Sequence, residues 1–313
     1  MNTTGVAIVC LCYVAMTVAV APVTYFAMLT EYTLKKYSFA LPVFALFGMA
    51  GVAVFRQPSS PLTFIREKLR NRGKGALMIA GVFILGAAAF STLKHVTPVY
   101  VPFFADPFLA DLDAVIHLGD PWKVAHAVFP QSLEPALFVL YGPIWFVQMV
   151  GMMLVAAFAK DNVYRARYLL SFLLVAIILG SVVRIVGSSA GPIFFDKITG
   201  GDRFADLVSV LGTTPSGRGM IATADYLYAS YSQDRTVFGT GIAAMPSLHV
   251  AVALLNALFL SRFGRWSRYW GWLYFAAIMF GSVYFGWHYA IDGYLAIIAT
   301  VVIWRCSGRY ARR

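Results

Sequence analysis

Apolar residues in this chain neither alternate with polar ones, as on a half-buried strand, nor recur as one stripe, as on a surface helix; they run on in long blocks. Crossing the roughly 30 Å hydrocarbon layer takes about 20 such residues in a helix rising 1.5 Å per residue. Eight blocks approach that length, at 6–29, 39–55, 75–92, 133–159, 168–187, 243–262, 268–287 and 289–306. Lipid offers no partner to an open backbone group, so these blocks are expected to fold as helices. The predicted fold is an all-α polytopic transmembrane bundle of about eight helices. The first block is too long, and lacks the basic start, for a cleaved signal peptide, so it is expected to stay as an anchor. No fixed repeat recurs, and no paired broken half-helices suggest an inverted-repeat transporter.

Composition narrows the classes further. The 313 residues are 60% hydrophobic and 12% charged, against about 25% charged in soluble domains. Soluble, disordered and nucleic-acid-binding readings fall away despite the net charge of +11. Cys10, Cys12 and Cys306 are scattered and odd in number, which is no disulfide framework; they read as small apolar residues.

Charge predicts the orientation. The segments 56–74, 160–167, 262–268 and the tail from Arg305 hold 16 of the 25 basic residues but only Glu67 and Asp161 of the 14 acids. An eight-helix path puts all four segments on one side, expected to be cytoplasmic with both termini. Lys35 and Lys36 fall on the minority side. Residues 1–92 then form N-terminal membrane helices, 93–132 an extracytoplasmic interfacial segment, and 133–313 the core carrying the chemistry, with an extracytoplasmic loop at 188–241. Leu109, Leu112, Val115 and Ile116 predict a short interfacial helix in the first segment. His117, Asp111 and Asp113 lie close there, but acidic residues are common in aqueous loops and no matching metal-ligand set accompanies them. The loop 188–241 is polar and glycine-bearing, and loops of that length usually carry function or are disordered.

Two histidines carry the candidate chemistry. His249 follows Pro246 and Ser247 at the outer start of the sixth predicted helix, and His288 ends the seventh. The descent and return between them bring both to similar depth on one side. Asp292 follows His288 by four, on one helical face if the eighth helix begins here. A carboxylate beside an imidazole fixes one tautomer and leaves the other nitrogen free to attack. Pro246 and Ser247 suit a helix start, whose unpaired N–H groups favour a phosphate. One phosphate shared by both rings requires them within about 10 Å. Tyr226, Tyr228 and Tyr231 crowd the preceding stretch, where packing at the water boundary is favoured over stacking on a sugar or inositol head group.

The runs Met245-Pro246-Ser247-Leu248-His249 and Gly286-Trp287-His288-Tyr289-Ala290-Ile291-Asp292 resemble the second and third signature motifs of the type-2 phosphatidic acid phosphatase superfamily. The closest likeness is to the branch containing inositolphosphorylceramide synthases, and Ser188-Ser189-Ala190-Gly191-Pro192 resembles the position of the first motif. The likeness covers about residues 100–306. It implies a metal-independent, cofactor-free lipid phosphotransferase or phosphatase. His288 is then the nucleophile, His249 the general acid and Asp292 the orienting carboxylate. Phosphate binding is expected from Ser247, Ser188, Ser189, Gly191 and Ser282.

The sequence departs from the family pattern at its basic residues. The usual Lys followed seven positions later by Arg-Pro is missing; Lys160 and Arg167 have that spacing, without the proline and on the wrong side. Gly281 and Ser282 stand where the third motif carries Ser-Arg. Arg184, one turn before the outer end of the fifth predicted helix, is the candidate replacement, against a snorkelling interfacial arginine. The departure favours the synthase-like branch, with an alcohol as acceptor, over a lipid or polyprenyl phosphate phosphatase. A transporter would also hold His and Asp in a membrane cavity, yet it needs both faces and these residues cluster at one. The expected setting is a bacterial inner membrane with the site facing outward, since the outer side lacks an Asn-x-Ser/Thr sequon. Expected partners are a lipid phosphoester, an alcohol or lipid acceptor, and the bilayer.

Overall fold

The computed structural model describes residues 3–31, 37–235 and 241–311, and their regular secondary structure is helical throughout. Lys35, Lys36, Arg312 and Arg313, counted in the charge pattern above, lie outside the described residues. The helices are α1 (Thr3–Val20), α2 (Pro22–Thr30), α3 (Ser38–Arg56), α4 (Pro61–Tyr100), α5 (Asp106–His117), α6 (Pro121–Val128) and α7 (Gln131–Ala157). They continue with α8 (Asn162–Val186), α9 (Pro192–Thr199), α10 (Ala205–Gly212), α11 (Pro215–Ser232), α12 (Leu248–Leu260), α13 (Arg265–Tyr284) and α14 (Ala290–Tyr310).

Five of these, α3, α4, α7, α8 and α14, are long and apolar enough to cross a membrane. All eight predicted blocks are helical, but the other three differ from the expected 20-residue crossing. The block 6–29 breaks at Ala21, because Pro22 has no N–H to continue the ladder and its ring bars the preceding helical turn. The sixth block starts only at Leu248: Ser247 caps it, its Oγ accepting the N–H of Val250 at 3.4 Å. In α13 the first turns hold Arg265 and Arg268 among Trp266, Tyr269 and Trp270, which lowers its hydropathy.

The basic stretch 56–74 is not a loop. From Pro61 it forms the first part of α4, a single helix of 40 residues and about 60 Å. Arg66, Glu67, Lys68, Arg70 and Arg72 are good helix formers, and nothing before Pro98 interrupts the ladder. The expected loop 188–241 is mostly helix as well, as α9, α10 and α11. Gly191, Gly200 and Thr214 mark the ends of those helices rather than a mobile run.

Two apolar clusters result. One joins α1–α4 to α7 and α8 and includes Cys10, Tyr37, Met153 and Tyr168. The other packs α5–α14 around Leu179, Phe194, Leu207 and Phe285. Both α7 and α8 contain π-helical turns, at Leu140–Ile144 and Val175–Val183. The wider turn rotates the residues that follow, and such turns recur at functional sites. Here they set the direction of Tyr141 and of Arg184.

Candidate active site

Four separate stretches meet where α8, α12, α13 and α14 share an end. Asp106, at the start of α5, ties three of them. Its two oxygens accept the N–H groups of Ala190 (2.8 Å) and Gly191 (2.9 Å), and Oδ1 also accepts the Tyr289 hydroxyl at 2.9 Å. One turn-pair later, Asp113 accepts the N–H groups of Ala290 (3.0 Å) and Ile291 (3.1 Å), which would otherwise be orphaned at the start of α14. Burial pushes both carboxyls up from the usual range, and these N–H donors pull against it. Asp113 and Asp111, weighed as metal neighbours of His117, thus have other work: Asp111 pairs with Arg203.

The 188–191 segment lies against the strand-like stretch before α12. Ser189 O accepts the Ala244 N–H at 2.8 Å, and Ser189 Oγ accepts that of Met245 at 3.1 Å. Ser188 Oγ donates to Val101 O at 3.3 Å. Gly191 has φ +98°, and a Cβ there would sit 2.5 Å from the Trp287 carbonyl oxygen, so only glycine lets the two backbones approach this closely.

His288 is brought in from the other side, 5% exposed. Its Nδ1 lies 2.8 Å from the Ala244 carbonyl and 3.5 Å from Asp292 Oδ2. A carbonyl only accepts, so Nδ1 carries the proton and Nε2 presents its lone pair. Asp292 is fully buried; Oδ2 accepts the Tyr289 N–H at 3.0 Å, while Oδ1 has no partner. The His249 ring is 6.0 Å from that of His288, centroid to centroid. It is clamped between Tyr141, stacked at 4.8 Å, and Trp145 at 4.1 Å, whose indole N–H also holds the His249 carbonyl at 3.1 Å. The ring nitrogens of His249 meet no hydrogen-bonding group among the described residues.

Both rings line a cavity of about 610 Å³. Its wall includes Lys94 and Arg184, and no carboxylate among the described residues. Arg184 is 4% exposed; Nη2 donates to Leu93 O at 2.8 Å and Thr97 Oγ1 at 2.7 Å, but Nε and Nη1 have no acceptor. The Lys94 ammonium likewise has no hydrogen-bond acceptor among the described residues. Two cations in an apolar wall without counter-charge make a site for an anion.

The sequence-predicted residues therefore separate. His249, His288 and Arg184 line the cavity, and Asp292 backs His288. Ser188, Ser189, Gly191, Ser247 and Ser282 do not line it; the serine hydroxyls bond the backbone that shapes it, Ser282 Oγ donating to Met279 O at 2.7 Å, and the Gly191 N–H bonds Asp106. The family model of the PAP2 superfamily matches residues 108–306, which includes both histidines, Asp292 and Arg184. The chain belongs to the PAP2 superfamily. Neither the curated proteins nor the solved structures yield a match. Superfamily membership makes this a membrane enzyme of the lipid phosphatase and phosphotransferase type.

Lys94 lies outside the span matched to the PAP2 superfamily, and sequence reasoning passed it over. Lys94 falls just past the apolar block 75–92, on a helix that runs to Tyr100, and an ionisable residue on a membrane helix is itself a functional signal. Asp106 was legible only as an acid in an aqueous loop. Of the three tyrosines before α12, Tyr228 and Tyr231 lie 6.2 Å apart, and Tyr231 also packs on Phe103. None of the three lines the cavity.

Proposed function

We propose that this enzyme transfers the head group of a membrane lipid phosphoester to an alcohol, in the manner of an inositolphosphotransferase, through a phosphohistidine on His288 at the extracytoplasmic face. What carries the reading is the pair of histidines 6.0 Å apart beside two cations without counter-charge. The phosphate settles against Arg184, Lys94 and the N-terminus of α12, whose N–H groups and dipole favour it. The Nε2 lone pair of His288 attacks phosphorus in line with the lipid oxygen. The P–O bond breaks as the P–N bond forms, and His249 gives its proton to the departing oxygen. Asp292 and the Ala244 carbonyl steady the cationic ring, since bonding Nε2 to phosphorus makes the remaining Nδ1–H a stronger donor. His249, now neutral, takes the proton of the incoming alcohol, whose oxygen displaces His288.

With water as acceptor the same steps give a lipid or polyprenyl phosphate phosphatase. The synthase-like reading rests on the likeness of Pro246-Ser247-Leu248-His249 to that branch and on the missing Lys-to-Arg-Pro motif. A screen of lipid phosphoesters with and without alcohols separates the two. Transfer predicts a new phospholipid only when the alcohol is present; phosphate release that no alcohol diverts overturns it. Neither histidine role uses a metal, so activity is expected to survive excess chelator.

A further inference from the structure

The end of the bundle away from the histidines gathers cations of its own. Arg72 precedes Lys94 on α4 by 22 positions, about 33 Å along the helix and close to the roughly 30 Å depth of the hydrocarbon layer. Arg56 ends α3, Lys68 and Arg72 lie on α4, and Lys160 and Arg165 lie in and just after the turn from α7 to α8. The charges of Arg56, Arg72 and Lys160 all bear on Lys68, and that of Arg72 on Arg165. Arg72 and Arg165 share one acceptor: Nη1 of each donates to Ala159 O, at 2.5 and 3.4 Å, while Arg72 Nη2 donates to Lys160 O at 3.1 Å. Arg165 Nε is buried without an acceptor. Like charges crowded on one neutral oxygen repel, and burial costs them water, unless an anion joins them.

The chain supplies no such anion among the described residues. Asp161, the acid of that turn, accepts the Tyr164 N–H at 2.9 Å and pairs with Arg262 at 2.8 Å. Glu67 is exposed and forms no ion pair with the five. Arg167, by contrast, is provided for: it lies 3.9 Å over the Trp304 ring and donates to the Trp304 carbonyl at 3.0 Å. A charge that only orients a membrane helix has no need to gather with others. We propose that Arg56, Lys68, Arg72, Lys160 and Arg165 bind the phosphate of an anionic phospholipid in the leaflet opposite the histidines. Guanidinium groups take phosphate on paired N–H donors, and basic pockets between membrane helices take acidic lipid head groups. The surroundings favour a lipid over a soluble anion. Phe55, next to Arg56, is 89% exposed and Val52, one turn deeper, is 50% exposed, which gives hydrocarbon chains an apolar surface beneath the charges.

The test uses the full chain in maltoside micelles with phosphatidylglycerol or phosphatidylcholine added at equal mole fraction. Apparent affinity is read from thermal stabilisation against lipid fraction. Phosphatidylglycerol should stabilise the protein and phosphatidylcholine should not. Each basic residue near a head group is worth about fivefold, so Arg72→Gln with Arg165→Gln should weaken phosphatidylglycerol at least tenfold. Lys68→Gln with Lys160→Gln should do the same, and neither of those ammonium groups holds a hydrogen bond of the fold among the described residues. Arg265→Gln with Arg268→Gln, at the start of α13, removes equal charge at the same end and should leave the affinity unchanged. Stabilisation by both lipids, an equal loss in the Arg265 and Arg268 pair, or no loss in the Lys68 and Lys160 pair overturns the proposal. Inorganic phosphate should protect the wild type and the Lys68 and Lys160 pair alike. Protection lost with those lysines would make this a site for a soluble anion and overturn the lipid assignment.

Discussion

The Nδ1 of His288 points at the carbonyl of Ala244, 2.8 Å away and 44 positions earlier in the chain, more closely than it approaches Asp292 at 3.5 Å. A main-chain oxygen thus fixes which nitrogen is free, while the carboxylate supplies charge. The two effects can be separated. Asp292→Asn should retain the tautomer and slow turnover rather than abolish it, the loss staying within the roughly 10²–10⁴-fold range of acid–base assistance. Rates of phosphoenzyme formation measure it, and a variant as inactive as His288→Ala would mean that the carboxylate does more than steady the ring.

The histidines should differ in trapping experiments. His288→Ala lacks the atom that bonds phosphorus and is expected to form no phosphoenzyme. His249→Ala keeps the nucleophile, so a substrate with a good leaving group should still label it, followed by slow turnover. Label trapped on His288→Ala and never on His249→Ala would reverse the two roles.

Arg184→Gln and Lys94→Met should each reduce kcat/KM for a lipid phosphoester by about tenfold to a hundredfold, the usual range for a charged hydrogen bond. Most of that loss should appear in KM. Inorganic phosphate should protect the wild-type protein against heat and the double variant much less. Equal protection of both proteins would place the anion elsewhere.

Removing Asp106 strands three buried donors, the N–H groups of Ala190 and Gly191 and the Tyr289 hydroxyl. At about 1–3 kcal/mol for each unsatisfied group, Asp106→Ala is expected to lose at least about 3 kcal/mol. Asp106→Asn keeps one acceptor and should lose less. Thermal unfolding in detergent ranks the pair, and indistinguishable variants would argue against the tie.

His126, on α6, stacks on the Tyr284 ring at 3.9 Å and donates from Nε2 to the Tyr284 carbonyl at 2.8 Å. Burial holds its pKa below the ordinary 6.5. Below pH 6.5 the unfolded chain gains a proton that the folded one refuses, so this residue makes stability fall with pH until its lowered pKa is passed. His126→Phe keeps the stack and should show a shallower decline in thermal stability from pH 7 to 5. An unchanged slope would assign the decline to other groups.

Much of this architecture was legible in the chain. The blocks of apolar residues gave helices at all eight positions, and His249, His288 and Asp292 stand out by matched depth, the i+4 carboxylate and the Pro246-Ser247 helix start, with their roles implied by the family likeness. The path of the connections was not. Arg66 to Lys74 are charged and helix-forming at once, and a pattern that marks where lipid ends is silent on where a helix ends. The likeness points to Ser188, Ser189, Gly191, Ser247 and Ser282 for phosphate, yet the four hydroxyls bond main-chain groups and the Gly191 N–H bonds Asp106. Small residues beside a site have two uses, and only tertiary contacts distinguish them. Labelling of Arg70→Cys and Val210→Cys, in protein lacking the exposed Cys12 and Cys306, should occur from opposite sides of the membrane; labelling of both from one side would discard the orientation expected from charge.

The ties made by Asp106 and Asp113 also bear on synthesis. Their partners Tyr289, Ala290 and Ile291 leave the ribosome 177 to 183 residues after them. A chain still being made therefore carries Asp113 without its N–H donors and Asp106 without its Tyr289 tie, and His288 is set in place only as α14 enters. The growing polypeptide passes most of its insertion unable to act on the lipids that surround it.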